Sequence, residues 1–261
     1  MEIPFDDGAS RNSSAHERVG IMQPYFFPYT GYFSHMFASD LFVLYDNIQY
    51  TKKGWINRNR IFSNGHIVPI TIPLAKGREL LPIFERQLAV DFSGEKILRQ
   101  LRGAYSQAPG WKEIETLVDS IFQRGHRNLF DFLFESLSST AQLLEIDTPL
   151  IPSSKISLEE GARGQNRVLG ICSALEATVY VNPIRGRHLY DPEVFQEQGI
   201  SLEFISSSPR SVPRKESPLP ETMVPDDLNR LSILDVIACV GIEKAKVCVR
   251  EDFGVAPRPN E

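Results

Sequence analysis

Cysteine is scarce: Cys172, Cys239 and Cys248 are the only three, with no CxxC spacing and each inside an apolar segment. A zinc site needs three or four ligands at recognisable spacing, so no metal site is expected, and the thiols read as buried and reduced. Reduced thiols fit a reducing compartment. No apolar run approaches the roughly 20 residues that span a bilayer. Met1 to Glu17 is polar and acidic and lacks the apolar core of a signal peptide. The expectation is a cytoplasmic protein with no membrane span. A strong excess of one charge is also missing, with 28 Lys and Arg against 33 Asp and Glu, net −5. That balance argues against a general nucleic-acid binder but leaves room for local basic clusters that hold phosphate. GxSxG, Walker, HExxH and full dinucleotide-fingerprint motifs are absent, so those enzyme classes gain no support.

Apolar residues at 42% and charged residues at 23% sit near the globular average. A chain of this length can therefore bury a core without staples. Residues 1–18 read as a disordered lead-in and 251–261 as a frayed tail, leaving one domain over 19–250. Val19-Gly20-Ile21-Met22, stopped by Gln23-Pro24, predicts a first strand. Tyr29 to Ala38 predicts a helix, and the continuously apolar Leu41 to Tyr45 a strand covered on both faces. That order suggests a parallel βαβ unit. Asn64-Gly65 marks a hairpin turn between Arg60–Phe62 and His66–Pro73. Helices are predicted over 94–104, 109–122 and 129–144, the last capped by Asn128. Strands at 150–152, 177–181 and 201–205 alternate with helices at 166–176 and 192–198. An apolar helix follows at 232–240. The fold class is thus α/β, a mainly parallel sheet flanked by helices, with a helical insertion around residues 93–145. Residues 206–226, rich in Ser and Pro, predict a long loop that is functional or mobile.

Ligands of parallel α/β sheets bind beyond the carboxyl ends of strands. Gln23-Pro24-Tyr25-Phe26-Phe27-Pro28 falls there, with two prolines fixing the loop and Gly31 allowing close backbone approach. Gln23 and Tyr25 need polar partners if buried, which makes them binding candidates. After the second strand comes Asp46-Asn47-Ile48-Gln49-Tyr50-Thr51-Lys52-Lys53-Gly54-Trp55-Ile56-Asn57-Arg58-Asn59-Arg60. Lys52, Lys53, Arg58 and Arg60 offer charge for anions. Gln49, Asn57 and Asn59 can read hydroxyls or amides, and Trp55 offers a stacking face. Strand alternation sends Asn57 and Asn59 to one face and Arg58 and Arg60 to the other. The plainer reading is a solvated, charged edge strand.

These residues carry a resemblance. The motifs Met22 to Phe33, Tyr45 to Tyr50 and Trp55 to Arg60 resemble the WbqC-like family. Tyr180-Val181-Asn182-Pro183 with Gly186, Leu189-Tyr190-Asp191 and Phe195, and Leu231-Ser232-Ile233-Leu234-Asp235 agree with it. The resemblance covers roughly residues 19–242. It implies a role beside bacterial O-antigen and other sugar-assembly functions, and it narrows pathway more than reaction. Residues 206–226 lack the tyrosine- and glutamine-containing stretch associated with the family.

Further candidates lie outside the main cluster. Asp46, at the end of the second strand, and His188, backed by Asp191, are candidate proton carriers. Asn182, Tyr190 and Asp191 form a loop after a strand end, and Arg167 lies in a first helical turn suited to an anion. Ser232 and Asp235 read as a helix cap with an acid in the first turn. Gly31 with His35 invites comparison with HIGH-type nucleotidyltransferases, placing His35 near a triphosphate. Three hypotheses follow. The first is a transferase in nucleotide-sugar, O-antigen or related small-molecule assembly, moving an acyl or aminoacyl group to an amine. The second is a nucleotidyltransferase, and the third a non-catalytic binding protein of a glycan-assembly complex. The expected ligand is a phosphorylated or nucleotide-linked small molecule, and no motif assigns a cofactor.

Overall fold

A computed structural model describes residues 17–77, 80–159, 161–207, 230–251 and 253–256. The chain runs β1 (Arg18–Met22), α1 (Thr30–Phe37), β2 (Leu41–Leu44), then an antiparallel hairpin of β3 (Arg58–Ser63) and β4 (His66–Thr71). Helices α2 (Glu95–Tyr105), α3 (Trp111–Gln123) and α4 (Leu129–Leu143) follow before β5 (Leu150–Pro152). The rest is α5 (Gly164–Ala174), β6 (Val179–Pro183), α6 (Pro192–Glu197), β7 (Ser201–Ser207), α7 (Ile233–Val240), α8 (Ile242–Glu251) and β8 (Phe253–Ala256). The sheet order is β5-β2-β1-β6-β7-β8, parallel except for the β7–β8 pair. The fold is therefore α/β, a mainly parallel sheet flanked by helices. Where the sequence suggests fraying after Phe253, β8 instead pairs with β7. The Ser- and Pro-rich segment falls mostly in 208–229, outside the described residues.

Each face of the sheet buries its own core. On one face Phe42 and Leu44 meet α1, α7, the three insertion helices and the inward side of the hairpin. On the other, Val19, Ile21, Leu41, Val43 and Tyr180 meet Val168, Ile171 and Cys172 of α5 and Phe195 of α6. All four residues of β2 are buried, as a strand covered on both faces requires. Gly20 lets α1 pack close. A Cβ there would lie 2.4 Å from Ser39 Oγ and 2.9 Å from His35 Nε2. Asn128 caps α4 through Oδ1, which accepts from the amides of Phe130 and Asp131. Of the cysteines only Cys172 is buried, and burial pushes its thiol up to about 12. Cys239 and Cys248 are half-buried, against the expectation for all three. No helix among the described residues is long and apolar enough to cross a membrane.

Candidate functional site

In chain order the parallel strands stand third, second, first, fourth, fifth across the sheet. The order reverses between β1 and β6, and a sheet of this kind takes ligands in the crevice at that reversal, beyond the carboxyl ends. The ladder between β1 and β6 runs from Arg18–Val179 to Gly20–Val181. Beyond it β1 keeps pairing with β2 as far as Met22, and β6 with β7 as far as Pro183. The two central strands thus part at the carboxyl edge. Gln23–Pro28 leaves from one side of this cleft and Asn182–Asp191 from the other.

The first loop is fastened from three directions. Phe26 N–H donates to Trp55 O (3.2 Å), and Ile233 N–H to Pro28 O (2.8 Å). The carbonyl of Phe27 accepts from Asn59 Nδ2 at 2.6 Å and from Ser232 Oγ at 2.8 Å. Phe27 needs this support because its φ is 39°, a left-handed backbone that a bulky side chain adopts at a cost of about 1–2 kcal/mol. Strain held by surrounding hydrogen bonds clusters at functional sites. Tyr32 O–H donates to Gln23 O (2.9 Å), tying the loop to α1, whose first turn holds Gly31. Burial pushes the Tyr25 phenol up to about 12, with Tyr29 adding to the rise. Burial also raises the Tyr29 phenol, against the charges of Arg185 and Arg230, which both reach it. The charges of Arg185, from the loop after β6, and of Arg230, from the lead into α7, thus both act on Tyr29 just ahead of α1.

The segment after β2 divides its polar residues between structure and surface. Asp46 is fully buried. Its Oδ1 accepts from Ser153 Oγ and Ser154 N–H, both at 2.8 Å, and its Oδ2 from Ser154 Oγ at 2.6 Å. Its carboxylate clamps the turn after β5 and leaves only the exposed Ser154 hydroxyl facing out. The amides of Asn57 and Asn59 are likewise spent on the protein. Asn57 accepts from Tyr50 O–H (2.8 Å) and donates to Ile72 O (2.8 Å), and Asn59 holds the carbonyls of Phe26 and Phe27. On the outer face Arg58 Nε donates to Gly54 O at 3.0 Å, and the Arg60 guanidinium stacks 4.9 Å from the Trp55 ring centroid. Gln49, Lys52, Lys53 and Trp55 are exposed. The charges of Lys52, Arg58 and Arg86 all reach Tyr50, and Arg86 lies 4.9 Å over its ring.

Across the cleft, Asn182 is buried and accepts from Tyr180 O–H at 3.2 Å. Gly186 makes room for it, since a Cβ at 186 would come within 2.3 Å of Asn182 Nδ2. The Tyr180 hydroxyl also bonds that of Tyr190 at 3.0 Å. Arg167 of α5 stacks on Tyr45, 5.4 Å from the ring centroid. Asp191 caps α6 by accepting from Glu193 N–H (3.1 Å), while His188 stands exposed in the 3-10 turn Ile184–Leu189. His35 is elsewhere. It is fully buried between α1 and the sheet, its Nε2 lies 2.8 Å from Val181 O, and burial lowers its pKa to about 4. It is a neutral, structural imidazole at mid-sheet, with no access to a ligand at the edge.

The sequence profile of the WbqC-like protein family matches residues 23–247, from the head of the first loop to α8. The chain belongs to the WbqC-like protein family. It is similar to the uncharacterized protein Rv1507c of Mycobacterium tuberculosis (strain ATCC 25618 / H37Rv), 32% identical over 191 residues, 72% of this chain and 82% of that protein. No solved structure matches. The family's matched span includes both loops of the cleft and the return to α7 at Arg230.

Several site residues of this WbqC-like chain escape sequence reasoning. Arg185 stands in the loop after β6, but only folding sets its charge, with that of Arg230, against Tyr29. Ser153 and Ser154 read as ordinary loop residues, because their carboxylate partner lies 107 and 108 positions away. Ser232 caps α7 as its sequence suggests, but Asp235 does more than tune a first turn. It is fully buried and accepts from Tyr105 O–H (2.7 Å) and Phe62 N–H (3.3 Å), joining the helical insertion to the hairpin. An open groove of about 650 Å³ between α3 and α4, lined by Lys112, Glu113, Arg124 and Glu135 among others, lies on the helical layer, away from the cleft.

Proposed function

We propose that this protein is a transferase that binds a phosphorylated or nucleotide-linked small molecule in the β1–β6 cleft. There it passes a group, such as an acyl or aminoacyl unit, to an amine acceptor in nucleotide-sugar, O-antigen or related assembly. The observation that carries the reading is the parting of β1 and β6 after Gly20 and Val181, with Arg185 and Arg230 reaching Tyr29 beside it. Two guanidiniums at a strand-order reversal suit a phosphate or diphosphate. Tyr25 and Tyr29, kept protonated by burial, are neutral donors to the same group. Trp55, stacked with Arg60, offers a flat exposed face for a base or sugar. His188 is the exposed imidazole of the cleft loops, the side-chain type suited to moving a proton near neutrality. Asp46 acts through Ser154, Asn59 acts by holding the first loop, and Asn57 acts by tying Tyr50 to Ile72, rather than by touching the acceptor.

The test is a calorimetric titration of the full chain with ADP, UDP and UDP-sugars, repeated on Arg185→Ala, Arg230→Ala and His188→Ala. A charge-assisted contact contributes about 1.5–3 kcal/mol, so each arginine change is expected to weaken binding by about tenfold or more. Equal affinity in both arginine variants would remove the cleft as the phosphate site. Binding with no turnover of any donor–acceptor pair, unchanged in His188→Ala, would favour a non-catalytic binding protein. The nucleotidyltransferase alternative loses its triphosphate histidine, given the burial of His35.

A further inference from the structure

Arg185 and Arg230 act on Tyr29 at the head of α1, and across the cleft a second group of side chains gathers around Arg167 of α5. Arg167 is half-buried there. Its Nε is buried with no hydrogen-bond partner, and among the described residues its guanidinium meets an aromatic ring but no carboxylate. A buried N–H donor without an acceptor is costly, so such an arrangement persists where a ligand completes it. Stacking on Tyr45 fixes the guanidinium while leaving its in-plane N–H donors for a forked acceptor. The phenol of Tyr45 is in electrostatic reach of both Arg167 and Tyr190. Burial raises the Tyr45 and Tyr190 phenols above their ordinary range, so both remain O–H donors at neutral pH. Tyr180, bonded to both Tyr190 and Asn182, anchors the cluster to β6.

We propose that Arg167, Tyr45 and Tyr190 form a subsite for the carboxylate of a small carboxylic acid or amino acid. One guanidinium with two neutral phenols supplies a single positive charge, matched to a monoanionic carboxylate. A phosphate dianion is better served by the paired arginines near Tyr29. That this carboxylate belongs to the acceptor or the transferred group rests on the transferase reading above; the binding itself does not. A carboxylate held on this face would set one end of the second ligand while the cleft holds the phosphorylated one.

The experiment follows the Arg167 Nε–H resonance of the full chain by ¹⁵N–¹H NMR, assigned by its loss in Arg167→Lys, during titration with acetate and separately with inorganic phosphate. Acetate is expected to produce a saturable downfield displacement at lower concentration than phosphate. Tyr45→Phe and Tyr190→Phe, which keep the rings, are each expected to weaken the acetate response by about fivefold. No saturable displacement with acetate, tighter saturation by phosphate, or an unchanged response in both phenylalanine variants would each overturn the subsite. An ADP titration on the same sample reads the cleft separately, so a failure there with an intact acetate response condemns only the transferase reading.

Discussion

His35 should make this fold sensitive to mild acid, by an amount the structure allows one to work out. Its Nε2 faces the carbonyl of Val181 at 2.8 Å, so that nitrogen carries the proton and donates it. The other nitrogen, Nδ1, is buried without a partner. A second proton would have to sit there, against Phe42 and beneath the sheet. Burial accordingly lowers the pKa from 6.5 to about 4. The unfolded chain therefore takes up this proton first. Stability from the neutral imidazole is complete above the unfolded value, declines as pH falls from 6.5 toward 4, and is lost below it. The total is about 3 kcal/mol, a large share of an ordinary domain's stability. Urea unfolding at neutral pH and near pH 4.5 would measure it in the wild type and in His35→Phe, which keeps an aromatic ring but cannot titrate. The variant is expected to lose about 1 kcal/mol at neutral pH through the missing hydrogen bond. The wild type is expected to lose about 2–3 kcal/mol more than the variant on acidification. Parallel losses in the two proteins would refute the assignment of a buried neutral imidazole.

Other expectations rest on the contacts of the site. Asn59→Ala strips donors from the carbonyls of Phe26 and Phe27 and releases the strained loop. It should cost about 1–3 kcal/mol by urea unfolding and weaken nucleotide binding, although Asn59 itself is buried beneath the loop. Gly20→Ala drives a methyl group into Ser39 Oγ and should cost about 1–3 kcal/mol, read as a lowered melting temperature that Ser39→Ala partly restores. Tyr105→Phe leaves the buried Asp235 without its 2.7 Å donor and should destabilise by about 1–3 kcal/mol, with no change in nucleotide affinity per folded molecule.

The parallel sheet was legible because its strands are short apolar runs bounded by proline, glycine and polar turns, from Val19–Met22 to Ser201–Ile205. The hairpin was legible from Asn64-Gly65, and the α4 cap from Asn128. Each of these signals is local. The order of the strands is not, and it is the order that puts Gln23–Pro28 opposite Asn182–Asp191. The alternation of Asn57, Arg58, Asn59 and Arg60 revealed two faces, but not that Asn59 would be spent on the backbone of a strained loop and Asn57 on Tyr50 and Ile72. Side chains alone gave Asp46 and His35 the look of catalytic groups. Their partners, Ser153, Ser154 and the Val181 carbonyl, lie more than a hundred positions away. That the charges of Arg185 and Arg230 both act on Tyr29 was hidden for the same reason.

The central claim is that the parted ends of β1 and β6 hold a phosphorylated ligand. A crystal structure of the full chain soaked with UDP or ADP tests it most directly. Diphosphate density within hydrogen-bonding distance of Arg185 and Arg230, with Tyr25 or Tyr29 donating to it, is expected. Nucleotide bound instead in the α3–α4 groove, or along the hairpin with the cleft empty, would contradict it.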